Sequence, residues 1–240
     1  MQDKVLLILG ASSDLGVAFI NAEIEKYSYI IAHYNHNVSS LLQLKKKYPE
    51  KICLKQADFS VEDEIKRLIE GIIQEGKIPS YVIHFPAVKC KLRKFHKIPS
   101  EEFQTNMQIS VNSIILILQK LLPFMSKQHY GKIVFVLSIH TITGNHKYIA
   151  DYIMTKFALL SLMGSLTAEY GEKGIRVNSI SPDTIATKFI SDLPDLAVEN
   201  KKDKSLTKKL LEVSDIVPTI AYLLDDSSDG LYGQNIGIKE

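Results

Sequence analysis

Seven short apolar runs punctuate the chain, at 5–9, 29–33, 52–56, 81–85, 133–137, 176–181 and 234–238. Between several of them lie longer stretches with helical spacing of apolar residues, at 61–74, 101–127 and 151–170. The runs are unbroken rather than alternating, so each strand sends apolar side chains to both faces. That is the pattern of a parallel sheet covered by helices on both sides. Strands alternating with helices in this way predict an α/β, doubly wound parallel sheet of about seven strands. No internal repeat, Pro/Gly-rich linker or low-complexity tract divides the chain, so residues 1–240 are expected to form a single domain.

Composition excludes more than it assigns. The hydrophobic share of 45% and the charged share of 23% are ordinary for a soluble globular protein. Net charge is +2, and no basic block is interleaved with aromatics, so nucleic acid is not an implied partner. Lys45-Lys46-Lys47 reads as a solvated helix end. Cys53 and Cys90 form no CxxC pair, which argues against a disulfide framework and fits a reducing compartment. His129, His140 and His146 lack ligand spacing, so no metal is expected. The first apolar run is too short for a signal peptide, and no run reaches the roughly 18 apolar residues that span a bilayer. A soluble, cytoplasmic protein with no membrane partner is expected.

Candidate chemistry concentrates between Ser138 and Lys156. In Tyr152-Ile153-Met154-Thr155-Lys156 the spacing is i, i+4, which stacks the lysine and the tyrosine on one helix face. A free phenol titrates near ~10, and a cation held beside it is expected to pull that value down toward the range of efficient general acid–base work. Ser138 follows the run 133–137, at a strand end where α/β proteins carry their chemistry. Its hydroxyl is suited to holding a carbonyl while the phenol protonates it. A second stretch, Gly10-Ala11-Ser12-Ser13-Asp14-Leu15-Gly16, follows the first strand and opens a helix. Glycines permit a tight turn, and a helix start favours a phosphate, which points to a dinucleotide.

Together these stretches resemble the short-chain dehydrogenase/reductase family, over nearly the whole chain and most closely in its 3-oxoacyl-carrier-protein reductase-like branch. The resemblance implies a Rossmann-type fold with Ser138, Tyr152 and Lys156 as catalytic residues and Ser110 at the helix position that carries a proton-relay asparagine in many members. For the cofactor it implies the turn residues Gly10, Ser12, Ser13, Asp14, Leu15 and Gly16, and Asp58 with Phe59 after the third strand. It adds Phe85, Pro86 and Ala87 after the fourth strand. Pro182, Asp183, Ile185 and Thr187 would flank the nicotinamide, with Tyr152 and Lys156 touching the cofactor as well. Tyr232-Gly233-Gln234 resembles the family's closing segment.

Three departures stand out. Asp14 replaces the family's middle glycine and brings a carboxylate toward the expected pyrophosphate. His84-Phe85-Pro86-Ala87 replaces Asn-Asn-Ala-Gly, and Pro86 lacks a backbone donor. Ser110 replaces the relay asparagine, and Asn112 falls on a different helical face.

At the end of the second strand, His33, Tyr34 and Asn35 offer donors and no acid. A carboxylate there would select the ribose 2′-hydroxyl of NAD, so its lack favours NADP(H) over NAD(H). The basic loop containing Lys89, Lys91, Arg93, Lys94, His96 and Lys97 suits steering of an anionic or carrier-tethered substrate. The polar segment 188–209 sits where the family carries its substrate lid. The stretch 151–170 is apolar on more than one face, so it is either fully buried or shared with a partner, and the family resemblance implies a homodimer or homotetramer. The expected activity is NADP(H)-dependent hydride transfer between nicotinamide and a carbonyl or alcohol. The alternative is a dinucleotide-binding sensor or assembly subunit with weakened turnover.

Overall fold

The computed structural model describes residues 4–144 and 146–239. Its seven strands are β1 (Val5–Leu9), β2 (Tyr29–Tyr34), β3 (Ile52–Gln56), β4 (Tyr81–His84), β5 (Gly131–Val136), β6 (Ile175–Pro182) and β7 (Asn235–Ile238). They form one sheet in the order β3-β2-β1-β4-β5-β6-β7, parallel throughout. All seven runs legible in the sequence are strands, with ends displaced by at most two residues.

The helices are α1 (Asp14–Glu23), α2 (Ser39–Lys47), α3 (Glu62–Gln74), α4 (Ser100–Met107), α5 (Ser113–Gln128), α6 (His140–Thr143), α7 (Ala150–Tyr170), α8 (Asp195–Lys204) and α9 (Val213–Leu224). They cover both faces. Ile65 and Ile72 of α3, Ile117 and Leu121 of α5, and Leu159 of α7 pack with Leu7, Val82 and Phe135 on one side. Phe19 and Ile20 of α1, Leu41 of α2 and Ile216 and Ile220 of α9 pack with Ile8, Ile83 and Val134 on the other. Adjacent strand residues thus enter opposite cores, as unbroken apolar runs require.

The stretch expected as one helix over 101–127 is interrupted. Between α4 and α5, Gln108–Asn112 winds as a π turn, a form that marks a local insertion in a helix. Counted through that turn, Ser100–Gln128 is long and apolar enough to cross a bilayer by length and composition, although it holds no unbroken run of about 18 apolar residues. Half of its apolar window is buried, and α5 presents Ile114, Ile117, Leu121 and Met125 to the core.

The sheet's two rims differ. At the N-terminal rim Lys132 has no exposed surface, and its ammonium donates to the Asp225 carbonyl at 2.6 Å and to the Asp229 carboxylate. Tyr130 there bonds the Tyr81 hydroxyl and the Asp226 carboxylate, each at 2.7 Å. The C-terminal rim carries the glycine turn, Ser138 and the residues that follow β4 and β6, which is where open α/β sheets bind ligands.

Candidate active site

The glycine turn is built so that backbone rather than side chains lines it. Gly10 has φ +72°, and a Cβ on it would stand 3.3 Å from Phe85 Cβ and 3.4 Å from Pro86. A Cβ on Gly16 would meet the Ala11 carbonyl oxygen at 2.5 Å. Ser13 caps α1, its hydroxyl accepting from the Gly16 N–H at 3.1 Å. Half-buried Ser12 and Leu15 complete a narrow cradle at the start of a ten-residue helix. These residues fit a dinucleotide pyrophosphate: close backbone approach is available, and the helix start favours an anion.

Asp14 answers differently from its family position. Its carboxylate accepts the Lys188 N–H at 2.8 Å, tying the glycine turn to the start of the 188–209 segment.

His33 corrects the sequence reading. It was expected to offer a donor, neutral or cationic, to a 2′-phosphate, but it is 3% exposed and both ring nitrogens are engaged. Nδ1 accepts from the Gly10 N–H at 3.1 Å, and Nε2 donates to the Ala57 carbonyl at 3.0 Å. Burial lowers its pKa to about 4, so the ring stays neutral. Phe59 stacks on it with centroids 4.0 Å apart and is itself buried, so this side chain is core rather than adenine contact. The ring clips three strand ends together and is not presented to a ligand. Tyr34 and Asn35 remain partly accessible, and Asp58 is held ionised, chiefly by the Ser60 N–H.

Ser138, Tyr152 and Lys156 come together at the end of β5. Ser138 is 7% exposed and Lys156 2%. The Lys156 ammonium donates to the Val136 carbonyl at 2.9 Å and lies 5.4 Å from the centre of the Tyr152 ring. Here too an expectation is corrected. The phenol titrates above its ordinary value, because burial and the nearby Cys90 disfavour the phenolate, and the Ser138 hydroxyl offsets only part of this. Burial lowers Lys156 itself to about 8.

Ser110 lies between α4 and α5. It is buried within the π turn, and its carbonyl accepts from His84 Nε2 at 2.8 Å. Phe85, Pro86 and Ala87 line the neighbouring rim, half-buried, with Phe85 N–H bonded to the Leu9 carbonyl at 3.1 Å. Pro182 ends β6, and Asp183, half-buried, caps its own turn through the Thr184 N–H. Ile185 pairs with Leu211, and the Thr187 N–H bonds the Ile185 carbonyl. Phe189 stands 6.1 Å from the Tyr152 ring, so the 188–209 segment begins over the phenol. Lys89 reaches across to Ser191 and Asp192, both at 2.9 Å.

The basic loop is therefore partly spent on structure. Arg93 forks onto Glu102 and also reaches the buried Asp151, whose Oδ2 accepts from Asn106 at 3.1 Å. That network anchors the first turn of the helix bearing Tyr152. Sequence reasoning also missed Asn235. Its Oδ1 accepts from the Ser179 and Ser181 hydroxyls, and its amide donates to Thr141, bracing the Ser138 loop against β6 and β7. Only the folded sheet brings these residues together, so no linear spacing announces them. Among the described residues no cluster of three or more His, Cys, Asp or Glu is placed to hold a metal.

Known proteins share this fold. A family model described as enoyl-(acyl carrier protein) reductase matches residues 13–239. The 3-oxoacyl-[acyl-carrier-protein] reductase FabG of Thermotoga maritima is 26% identical, over 99% of this chain and 97% of that protein. Among solved structures, a 4-hydroxyisoleucine dehydrogenase complexed with NADH superposes with a TM-score of 0.89 at 24% identity, covering 99% of this chain and 97% of that one. A gluconate 5-dehydrogenase from Burkholderia cenocepacia, in complex with NADP and tartrate, gives 0.88 at 15% identity, covering 100% and 94%. A glycine cradle and a Ser–Tyr–Lys cluster on one rim of a parallel sheet, matched along almost its full length, make this chain a member of the short-chain dehydrogenase/reductase family, oxidoreductases that act on CH–OH and C=O groups.

Proposed function

We propose that the protein is an NADP(H)-dependent carbonyl reductase whose substrate is a 3-oxoacyl thioester or a sugar-derived ketone, small or carrier-tethered. The observation that carries the reading is the convergence of Ser138, Tyr152 and Lys156 at the end of β5, beside a glycine cradle on the same rim. A nicotinamide supplies the hydride. Ser138 holds the carbonyl, and Tyr152 donates the proton to its oxygen. A phenol that burial keeps protonated is suited to giving up a proton, which favours the reductive direction. Lys156, with its pKa near 8, is largely cationic at neutral pH and stabilises the phenolate left behind.

NADP(H) is favoured because no acidic side chain follows β2 in 33–39; the partly accessible donors there are Tyr34 and Asn35 rather than His33. The segment 188–209 acts as the substrate lid, with Phe189 covering Tyr152. Exposed Met154 and Phe157 on α7 favour a homodimer or homotetramer, and a cytoplasmic location fits the composition.

One feature favours the second reading, a dinucleotide sensor with weak turnover: the Asp14 carboxylate beside the pyrophosphate cradle. Fluorescence titration with NADPH and NADH separately, followed by a panel of ketones that includes acetoacetyl thioesters, decides between them. NADPH bound in preference to NADH and oxidised by a carbonyl supports the reductase. Binding without oxidation by any carbonyl overturns it in favour of the sensor.

A further inference from the structure

His84 ends β4 with 1% of its surface exposed. Its Nε2 sits 2.8 Å from the Ser110 carbonyl, so that nitrogen carries the proton and Nδ1 is left as a bare acceptor. Nδ1 is buried and has no hydrogen-bond partner within the protein. Buried polar atoms of this kind are rare and need an explanation. The ring is fixed: Phe135 lies edge-on at 6.2 Å, and the π turn at Gln108–Asn112 delivers the Ser110 carbonyl to its other side.

The complementary deficit lies next to it. Lys156 has three N–H donors, and one is spent on the Val136 carbonyl. In the β4–β5 register His84 pairs with Phe135, so Val136 is one residue past His84's partner on the adjoining strand. An acceptor without a donor therefore adjoins an ammonium with donors to spare, both closed off from solvent. We propose that His84 is a positioning residue for Lys156, through one bridging water that accepts an N–H of the ammonium and donates an O–H to Nδ1. A polar spot between two such groups within an apolar shell is where buried water is retained.

The roles divide cleanly. Nε2–H pins the π turn, while Nδ1 gives the ammonium a second anchor besides Val136. Because burial keeps the imidazole neutral, it holds the cation without repelling it. The titratable groups around the pair are few: Tyr152 on the lysine's own helix, His33 behind His84 on β2, and Cys90 near the phenol. None of these supplies an anion at neutral pH to do the same task.

This inference rests on the reading of Tyr152 and Lys156 given above, and its test separates the two. The titration of Lys156 is followed by NMR of 13C-labelled lysine in the intact protein, in wild type, His84→Leu and His84→Asn, with Lys156→Met assigning the signal. Loss of the acceptor in His84→Leu is expected to move the Lys156 midpoint down by about one pH unit. His84→Asn keeps one donor for Ser110 and one acceptor for the lysine, and is expected to restore most of the midpoint. The alkaline limb of carbonyl reduction should move in step, with kcat in His84→Leu falling about twofold at pH 7 and about tenfold on the alkaline side, and the KM for NADPH little changed. If His84→Leu does not fold, His84→Met, flexible and of similar volume, takes its place. A Lys156 midpoint unchanged in the apolar variant, or one that His84→Asn fails to restore, overturns the proposal. A midpoint that moves in a protein that reduces no carbonyl upholds it and removes the reductase reading instead.

Discussion

The Lys156 ammonium lies over the Tyr152 ring, 5.4 Å from its centre, and is bonded to the Val136 carbonyl. The i, i+4 spacing thus gives a cation over the π face. It leaves the phenol protonated and places a charge close enough to receive a phenolate. Tyr152→Phe removes the proton donor and is expected to lower turnover by about 10²–10⁴-fold while NADPH affinity stays within about twofold. Steady-state kinetics and fluorescence titration check this; full turnover in the variant would remove Tyr152 from the chemistry.

Lys156 is a stability burden carried for function. Its pKa falls from 10.5 to about 8, so the folded state holds the charge less readily than the unfolded chain does. The sign follows: this group weakens the fold below pH 8 and ceases to do so only as pH rises past its unfolded value. Lys156→Met is expected to raise stability at pH 7 by about 1–3 kcal/mol while abolishing turnover. Urea unfolding of the two proteins gives the difference directly. A destabilised variant would mean that the Val136 bond outweighs the desolvation.

Two buried histidines make the protein acid-sensitive. His33 and His84 have pKa values lowered to about 4 and about 3, against 6.5 for the free side chain. Both are neutral in the fold and protonate in the unfolded chain. The stability they contribute is complete above about pH 6.5 and is lost as pH falls toward their folded values. Each should cost about 2 kcal/mol on going from pH 7 to pH 5. Denaturation at the two pH values measures it, with His33→Phe expected to remove part of the dependence. Equal stability at both would show that the rings are accessible to protons in the fold.

Asp14 faces two demands. Its carboxylate accepts the Lys188 N–H, yet it stands in the cradle where pyrophosphate is expected. Asp14→Asn keeps an acceptor for that bond and removes the charge. NADPH should bind about three- to fivefold tighter at low salt, with the gain fading as ionic strength rises. An unchanged affinity at every salt concentration would place the carboxylate out of reach of the phosphates.

Arg93 holds the first turn of α7 through Asp151, whose carboxylate is 4% exposed. Arg93→Ala leaves that buried carboxylate with Asn106 as its remaining bonded partner, and is expected to cost about 2–3 kcal/mol. Lys89→Ala breaks only the exposed contacts with Ser191 and Asp192 and should cost less than about 0.5 kcal/mol. A comparison of melting temperatures separates the two, and similar losses would contradict the buried–exposed distinction.

The sheet was legible because a parallel strand buried on both faces has to be apolar at every position, as Val5–Leu9 is, with breaks in that pattern on either side. The Ser138–Tyr152–Lys156 cluster was legible because two of its members share a helix face. What escaped was set by contacts between distant segments. His33 reads as a surface donor at a strand end until Gly10 and Ala57 close on its two nitrogens. Burial reversed the expected acidification of Tyr152, and no local spacing reports burial of that kind. The π turn at Gln108–Asn112 is likewise silent in a sequence whose apolar periodicity runs straight through it.

Lys132 and the Tyr81–Tyr130–Asp226 chain knot the sheet at the rim opposite Ser138 and Tyr152. A molecule divided in this way can be toughened from below without disturbing its reactive side. Engineering aimed at heat tolerance should therefore begin around Lys132, where gains and catalytic losses are not traded against one another.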